Sequence, residues 1–332
     1  MRRKAAFFYN YPSSDGDVYG QGRRERIAQL ADVYPHVVHA GNFDSHAANL
    51  ADIEAIFATW GMIRFEPRHF AAMPKLKAVF YAAGNVRAFA EPLVASGTIL
   101  TSAWGINAIP VAEMCLSQIL LSLRGYFRAV RGYREAKSFA GKAFPRSGVN
   151  GETVGMIGMG KIGSLLRKKL ADYPLRVIAH DPMLSEQRAA ELDVELVSLD
   201  EVFKRSLVLC NHIPDLPSTR GTLKAGHFRS MREGATFINT GRGAQVVEAD
   251  LIATLKARPD MTALLDVSWP EPPAVDSELW TLPNVVISPH IGGTIGDEVV
   301  RLADSAIAEF EAWSAGKKLQ YQVTAEILET MG

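Results

Sequence analysis

Three polar residues of complementary chemistry stand just past apolar runs: Arg242 in INTGRGAQV, Glu271 in LLDVSWPEPP and His290 in ISPHIGG. A cation, a carboxylate and an imidazole are what hydride transfer at an alcohol carbon needs. The imidazole takes the hydroxyl proton, the cation holds a substrate carboxylate and polarises the carbonyl, and the acid orients the ring. Taken singly, each has a plainer reading. Arg242 could be a surface charge, Glu271 a turn residue between Pro270 and Pro272, and His290 one of eight histidines. Their order and shared placement argue for a joint task. His180 and His212 read as structural, and Trp269 and Trp280 as core or loop-packing residues.

The stretch VGMIGMGKIG carries a second kind of chemistry. Gly158, Gly160 and Gly163 form a GxGxxG pattern, which is weak alone and gains force from its setting between a strand and a helix. Gly158 allows the tight turn, Gly160 lets the backbone approach a pyrophosphate, and Gly163 lets the helix pack on the strand. Lys161 and Ile162 open that helix, whose unpaired N–H groups and positive dipole end suit phosphate. Asp181 ends the next apolar run, 18 residues past Gly163, near the place of a ribose-binding acid. No basic residue follows at once, since Pro182, Met183 and Leu184 come next and Arg188 lies further on. The pattern therefore points to NAD rather than NADP.

These residues need elements that bring them together. Apolar runs at 5–9, 36–40, 54–61, 76–84 and 98–104 read as strands, with amphipathic stretches such as 22–34 between them. A helical region is expected over 109–138, then a Gly/Pro break at 140–151. From 153 the alternation restarts, with strands expected at 153–160, 175–182, 206–213, 235–243, 261–268 and 284–290 and helices at 161–173 and 248–259. This is an α/β chain of two Rossmann-like or flavodoxin-like domains. A doubly wound parallel-sheet nucleotide domain, 104–296, is inserted into a smaller α/β substrate domain made of 1–103 and 297–332. The helix at 296–317 returns to that first domain. In a doubly wound sheet the loops at the strand carboxyl ends face the ligand, so Arg242, Glu271 and His290 can converge there.

From LKAVFYAAG to PHIGGT the chain resembles the D-isomer-specific 2-hydroxyacid dehydrogenase family, which includes phosphoglycerate, glyoxylate/hydroxypyruvate and D-lactate dehydrogenases. The likeness is strongest in VGMIGMGKIG, FINTGRGAQVVEADLIATL, LLDVSWPEPP and LPNVVISPHIGG. It implies an NAD-dependent oxidoreductase that moves a hydride between the nicotinamide and a small D-2-hydroxy or 2-oxo acid. It implies that Arg242 binds the substrate carboxylate, that His290 is the acid/base, and that Glu271 bonds His290 and raises its pKa. It further implies that Asp266 sits near the nicotinamide, that Ile213, Thr240 and Gly241 line the cofactor, and that amides at Ala83 and Gly84 grip the substrate carboxylate. A homodimer, with the helix from Ile109 as its element, is also implied. Two departures touch the substrate side: the glycine loop continues as GNVRAF with Arg87, and WGINAIPVAE carries Trp104 where a smaller residue is usual while keeping Ala112 and Glu113. A rival on the same fold is a corepressor-like module that senses NAD without catalysis.

Composition narrows the rest. The 332 residues carry 36 basic and 36 acidic side chains, so no basic excess invites nucleic acid. Cys115 and Cys210 sit in apolar text without a CxxC or metal spacing and read as buried thiols, with no metal site expected. The basic N-terminus lacks an apolar run of signal-peptide length, and no stretch of about 20 apolar residues is read as spanning a bilayer. A cytoplasmic protein without a membrane partner is the expectation.

Overall fold

The computed structural model describes residues 2–10, 17–139 and 148–330. It divides into two compact units, Met1–Asn107 with Thr294–Gly332, and Ala108–Gly293. The Gly/Pro break expected at 140–151 falls largely outside the described residues.

The first unit contains strands β1 (Lys4–Phe8), β2 (Asp32–Val38), β3 (Ala55–Ala58), β4 (Ala78–Tyr81) and β5 (Ile99–Ser102). All pair parallel in the order β2-β1-β3-β4-β5, a flavodoxin-like winding. Strands β3 and β4 are buried at every position, which is why they read as unbroken apolar runs. The helix Val300–Ser314 packs its Leu302, Ala303, Ile307 and Phe310 into the core beneath Phe57 and Phe80. The chain then crosses β5, with Ser102 N–H donating to Tyr321 O and Val323 N–H to Leu100 O.

The second unit contains β6 (Thr153–Ile157), β7 (Arg176–His180), β8 (Glu195–Leu196), β9 (Val208–Asn211), β10 (Thr236–Asn239), β11 (Thr262–Leu265) and β12 (Val285–Ile287). Its sheet is parallel throughout, ordered β12-β11-β10-β9-β6-β7-β8. The order reverses direction at β6 and β9, the switch point where an open α/β sheet leaves its ligand crevice.

Several local expectations need correction. Trp104 opens a helix, Trp104–Leu123, instead of closing a strand. The single helical region expected to 138 is two helices, because Gly125 takes a left-handed φ of 67° before Tyr126–Ala136 begins. The stretch 22–34 is helical only over Arg23–Leu30, and β2 has begun by Asp32. Strand β8 was not expected; two residues carry too little pattern to register. The helix Trp104–Leu123 is also long and apolar enough, by length and composition, to cross a membrane. That differs from the expectation of no such stretch, but Val111, Ala112, Cys115, Ile119 and Leu123 are buried against Val154 and Met156 in the core of the second unit.

Phe310 is 2% exposed and its ring centroid lies 5.1 Å from that of Phe57 and 5.5 Å from that of Phe80. Phe310→Ala should cost about 3–5 kcal/mol of stability through the cavity it leaves. Denaturant unfolding checks this, and a loss under about 1 kcal/mol would mean that the helix is not seated as described.

Candidate active site

The parallel register sets the site. Ile157 pairs with Asn211, Asn211 with Asn239, Asn239 with Leu265, and Leu265 with Ile287. The strands thus end side by side, and Gly158, His212, Thr240, Asp266 and Ser288 are the next residues in each.

After β6, Gly158 turns at φ 90°, and a Cβ there would lie 3.0 Å from the backbone of His212 and Ile213. At Gly163 a Cβ would lie 2.3 Å from Gly158 O, so the helix Lys161–Lys169 sits against the loop only as glycine. A Cβ at Gly160 would instead meet nothing within 4 Å, leaving open space above the helix N-terminus. The amides of Lys161, Ile162 and Gly163 lie in the first turn, where no intrahelical acceptor exists. Asp181 closes the cradle: its Oδ2 accepts from Met159 N–H at 2.7 Å and its Oδ1 from Met183 N–H at 2.9 Å. Each oxygen retains a lone pair for a ribose hydroxyl. An open glycine over first-turn amides, flanked by this carboxylate, fits a dinucleotide pyrophosphate and ribose.

On the other side of the switch point, Gly241 N–H donates to Asn239 Oδ1 at 3.1 Å and Arg242 N–H to Gln245 Oε1 at 3.2 Å. Arg242 donates one Nη1 hydrogen to Gly241 O at 2.7 Å, which directs the half-buried guanidinium. Gly243 is forced, since a Cβ would fall 1.9 Å from Ser268 C. Sequence reasoning missed the buried amides of Asn211, Asn239 and Gln245; the only signal was that two of them end strands and the third lies three residues past Arg242.

His290 and Glu271 meet, Nδ1 to Oε1, at 2.5 Å, with the side chains 47% and 38% exposed. Among the described residues no hydrogen bond reaches His290 Nε2. His290 has φ 54°, a strained setting for a residue with a Cβ. The loop is held by Asp266, 4% exposed, whose Oδ1 accepts from Ser288 Oγ at 2.6 Å and Ile291 N–H at 2.9 Å, and whose Oδ2 accepts from Gly292 N–H at 2.8 Å. Beside the pair lies a cavity of about 360 Å³ lined by Val267, Pro272, Trp280 and Ile287 among others.

His212 and Thr240 adjoin at the centre, with Nδ1 3.1 Å from Thr240 Oγ1, which in turn lies 3.4 Å from Cys115 Sγ. His212 Nε2 is sealed from solvent without a hydrogen-bond partner among the described residues, and burial pushes the ring pKa down to about 4. Burial also pushes the Cys115 thiol up to about 12, so neither it nor the enclosed Cys210 is a thiolate near neutrality. His180 Nδ1 meets Val197 O at 3.1 Å. Trp269 and Trp280 are not core residues, being 60% and 48% exposed; Trp280 Nε1–H donates to Ala274 O and Trp269 stacks under the Arg220 guanidinium.

In the first unit, Ser102 Oγ lies 2.8 Å from Ala83 O and 2.6 Å from Gly84 O, holding the loop after β4 by its carbonyls. Arg87 donates to Leu328 O at 3.4 Å, and Trp104 packs edge-on against Tyr321, so both departures from the family pattern contact the C-terminal segment.

The residues 116–292, more than half of the chain, match the model of the D-isomer specific 2-hydroxyacid dehydrogenase NAD binding domain. The chain is 35% identical over 198 residues to a D-3-phosphoglycerate dehydrogenase of Archaeoglobus fulgidus, a match covering 60% of this chain and 37% of that protein. It thus spans less than half the length of the curated relatives it matches. A phosphoglycerate oxidoreductase structure from Rhizobium etli superposes with a TM-score of 0.81 at 22% identity, covering 98% of this chain and 99% of that one. Apo D-mandelate dehydrogenase of Rhodotorula graminis gives 0.79 at 20% identity, with 97% and 98% covered.

His212 binds its proton far more readily unfolded than folded. Its folded pKa of about 4 lies below the ordinary 6.5, so the ring adds no pH-dependent cost above pH 6.5 and destabilises increasingly as pH falls towards 4. The loss amounts to about 3 kcal/mol across that window. His212→Asn should flatten the stability–pH curve between pH 6.5 and 4; an unchanged slope would show that the ring titrates normally in the fold. The chain belongs to the D-isomer-specific 2-hydroxyacid dehydrogenase family, and the unit from Ala108 to Gly293 contains its NAD-binding domain.

Proposed function

We propose that this chain is an NAD-dependent dehydrogenase that interconverts a D-2-hydroxy acid and its 2-oxo acid. The observation that carries this is His290, bonded through Nδ1 to Glu271 with Nε2 unpartnered, on the strand edge that also bears Arg242 and the glycine cradle. Gly158, Gly160, Lys161, Ile162, Gly163 and Asp181 would hold the pyrophosphate and adenosine ribose, Ile213, Thr240 and Gly241 would line the cofactor, and Asp266 would sit near its nicotinamide end. When bound, NAD would supply the acceptor for the hydride that leaves substrate C2 and, when reduced, its donor.

The chain's own residues do the rest. The Arg242 guanidinium, with one hydrogen spent on Gly241 O, keeps others for a substrate carboxylate. In the first unit, the loop amides at Ala83 and Gly84 are the substrate-binding groups that the family resemblance implies. His290 Nε2 accepts the hydroxyl proton during oxidation and returns it to the carbonyl oxygen during reduction. Glu271 fixes the ring by Nδ1 and offsets the positive charge that the ring gains. The second unit is the nucleotide domain and the first the substrate domain. A homodimer acting in the cytoplasm on a small acid completes the reading, the dimer and the acid resting on the family resemblance.

A panel of 2-oxo acids assayed by NADH oxidation tests the activity, and absence of turnover with every acid would overturn it. With the best acid, His290→Gln should lose on the order of 10²–10⁴ in kcat while NADH still binds. Near-normal turnover in that variant would remove His290 from the role of base.

The cofactor preference follows from Asp181. A 2′-phosphate beside its carboxylate would set like charges at short range, worth about 2–3 kcal/mol, or tens- to a hundredfold in favour of NADH over NADPH. Comparison of kcat/KM with the two cofactors on one oxo acid checks this, and Asp181→Ala should narrow the gap. Equal use of NADPH by the unaltered protein would contradict it.

A further inference from the structure

Three side-chain amides lie wholly inside the second unit, between the cofactor-side loop after β9 and the Arg242 loop after β10. Asn211 and Gln245 are 0% exposed and Asn239 is 1% exposed. A buried amide without partners is costly, yet every one of these is engaged. Asn211 Nδ2–H donates to Asn239 Oδ1 at 3.0 Å and to Gln245 Oε1 at 2.5 Å, while Asn211 Oδ1 accepts from Ile213 N–H at 3.4 Å. Gln245 Nε2–H donates to Ile213 O at 2.6 Å and Pro214 O at 2.9 Å, and its Oε1 accepts from Arg242 N–H at 3.2 Å. One side chain therefore grips both loops. Gly241 lies in the clasp: a Cβ there would sit 2.9 Å from Asn211 Nδ2 and Gln245 Oε1, so a larger residue would push the two amides apart.

We propose that Gln245, backed by Asn211 and Asn239, is a positioning residue that couples the cofactor-lining loop at Ile213–Pro214 to the presentation of Arg242. The inference rests on the proposed function for what Arg242 binds, but the coupling itself concerns only the two loops. A donor pair on one loop and an acceptor on the other make their positions interdependent in a low-dielectric interior, where each bond is strong and its loss is felt. A cofactor that orders the first loop then orders the second, and the 2-oxo acid meets an already aimed guanidinium.

Hydrogen–deuterium exchange of the full chain during titration with NAD tests this. In the unaltered protein NAD should slow exchange in 211–215 and 242–246 together. In Gln245→Met, which keeps the volume and removes the clasp, NAD should protect 211–215 as before while protection of 242–246 falls roughly tenfold. KM for the oxo acid should rise about tenfold as NADH affinity stays within about twofold, a split that general loosening of the fold would not give. If Gln245→Met does not fold, Asn239→Ser, which removes the Nδ2–H contact to Arg242 O at 3.4 Å and shortens the acceptor for Gly241, is read the same way. Joint protection of both loops in the variant, or separate protection in the unaltered protein, overturns the coupling. Absence of turnover with every oxo acid would overturn the proposed reaction and leave the exchange result to decide the coupling alone.

Discussion

Everything in the site depends on the parallel register that brings Ile157, Asn211, Asn239, Leu265 and Ile287 into one row. A slip of one residue in any strand would swap its side chains between the two covered faces of the sheet and move its loop by a full residue. The core prevents that slip, because β6, β9, β10 and β11 are buried at every position. Five loops, arriving from segments more than a hundred residues apart, are thereby delivered to one edge.

The polar contacts then decide how each loop leaves the sheet. Two devices recur. Glycines stand where backbone meets backbone, as Gly163 does against Gly158 O and Gly243 against Ser268. Buried side-chain oxygens collect the loop amides that no strand partner can take, as Asp266 does for Ile291 and Gly292 and Gln245 for Arg242. Neither is cheap. A missing partner at any of these buried groups would cost about 1–3 kcal/mol, so each works only with its bonds complete. The left-handed His290 sits at the end of such a set, and the Asp266 bonds on both sides of it make that conformation the one the loop can adopt.

The sequence made the strand ends legible because fully buried strands are apolar without interruption, and a polar residue that ends such a run stands out. Arg242, Glu271, His290 and the GxGxxG stretch announced themselves in this way. Asn211, Asn239 and Gln245 did not, since an amide carries no charge and no titration to suggest a task, and its worth lies in partners that are remote in sequence. For Trp269 and Trp280 the sequence left core and loop packing open, and both lie at the surface, Trp280 ending a short 3-10 helix and held by an indole hydrogen bond and Trp269 beside an arginine. Local breaks were harder still. Gly125 divides a pattern whose apolar spacing runs through it, and β8 is too short to show any period.

Stability and chemistry are assigned to different bonds. The His290–Glu271 pair is short but roughly half-exposed, and a pair of that kind contributes about 0–1 kcal/mol to folding. The fold therefore loses little if either member changes. The buried bonds of Asp266 and of the three amides, by contrast, hold backbone rather than substrate. This separation lets the imidazole and carboxylate stay open to solvent and to a reacting oxygen while the loops beneath them remain fixed. A stiff, enclosed frame carrying an exposed proton relay is the arrangement in which proton transfer at His290 needs no rearrangement of the chain, since Nδ1 is already held and only Nε2 has to change its proton.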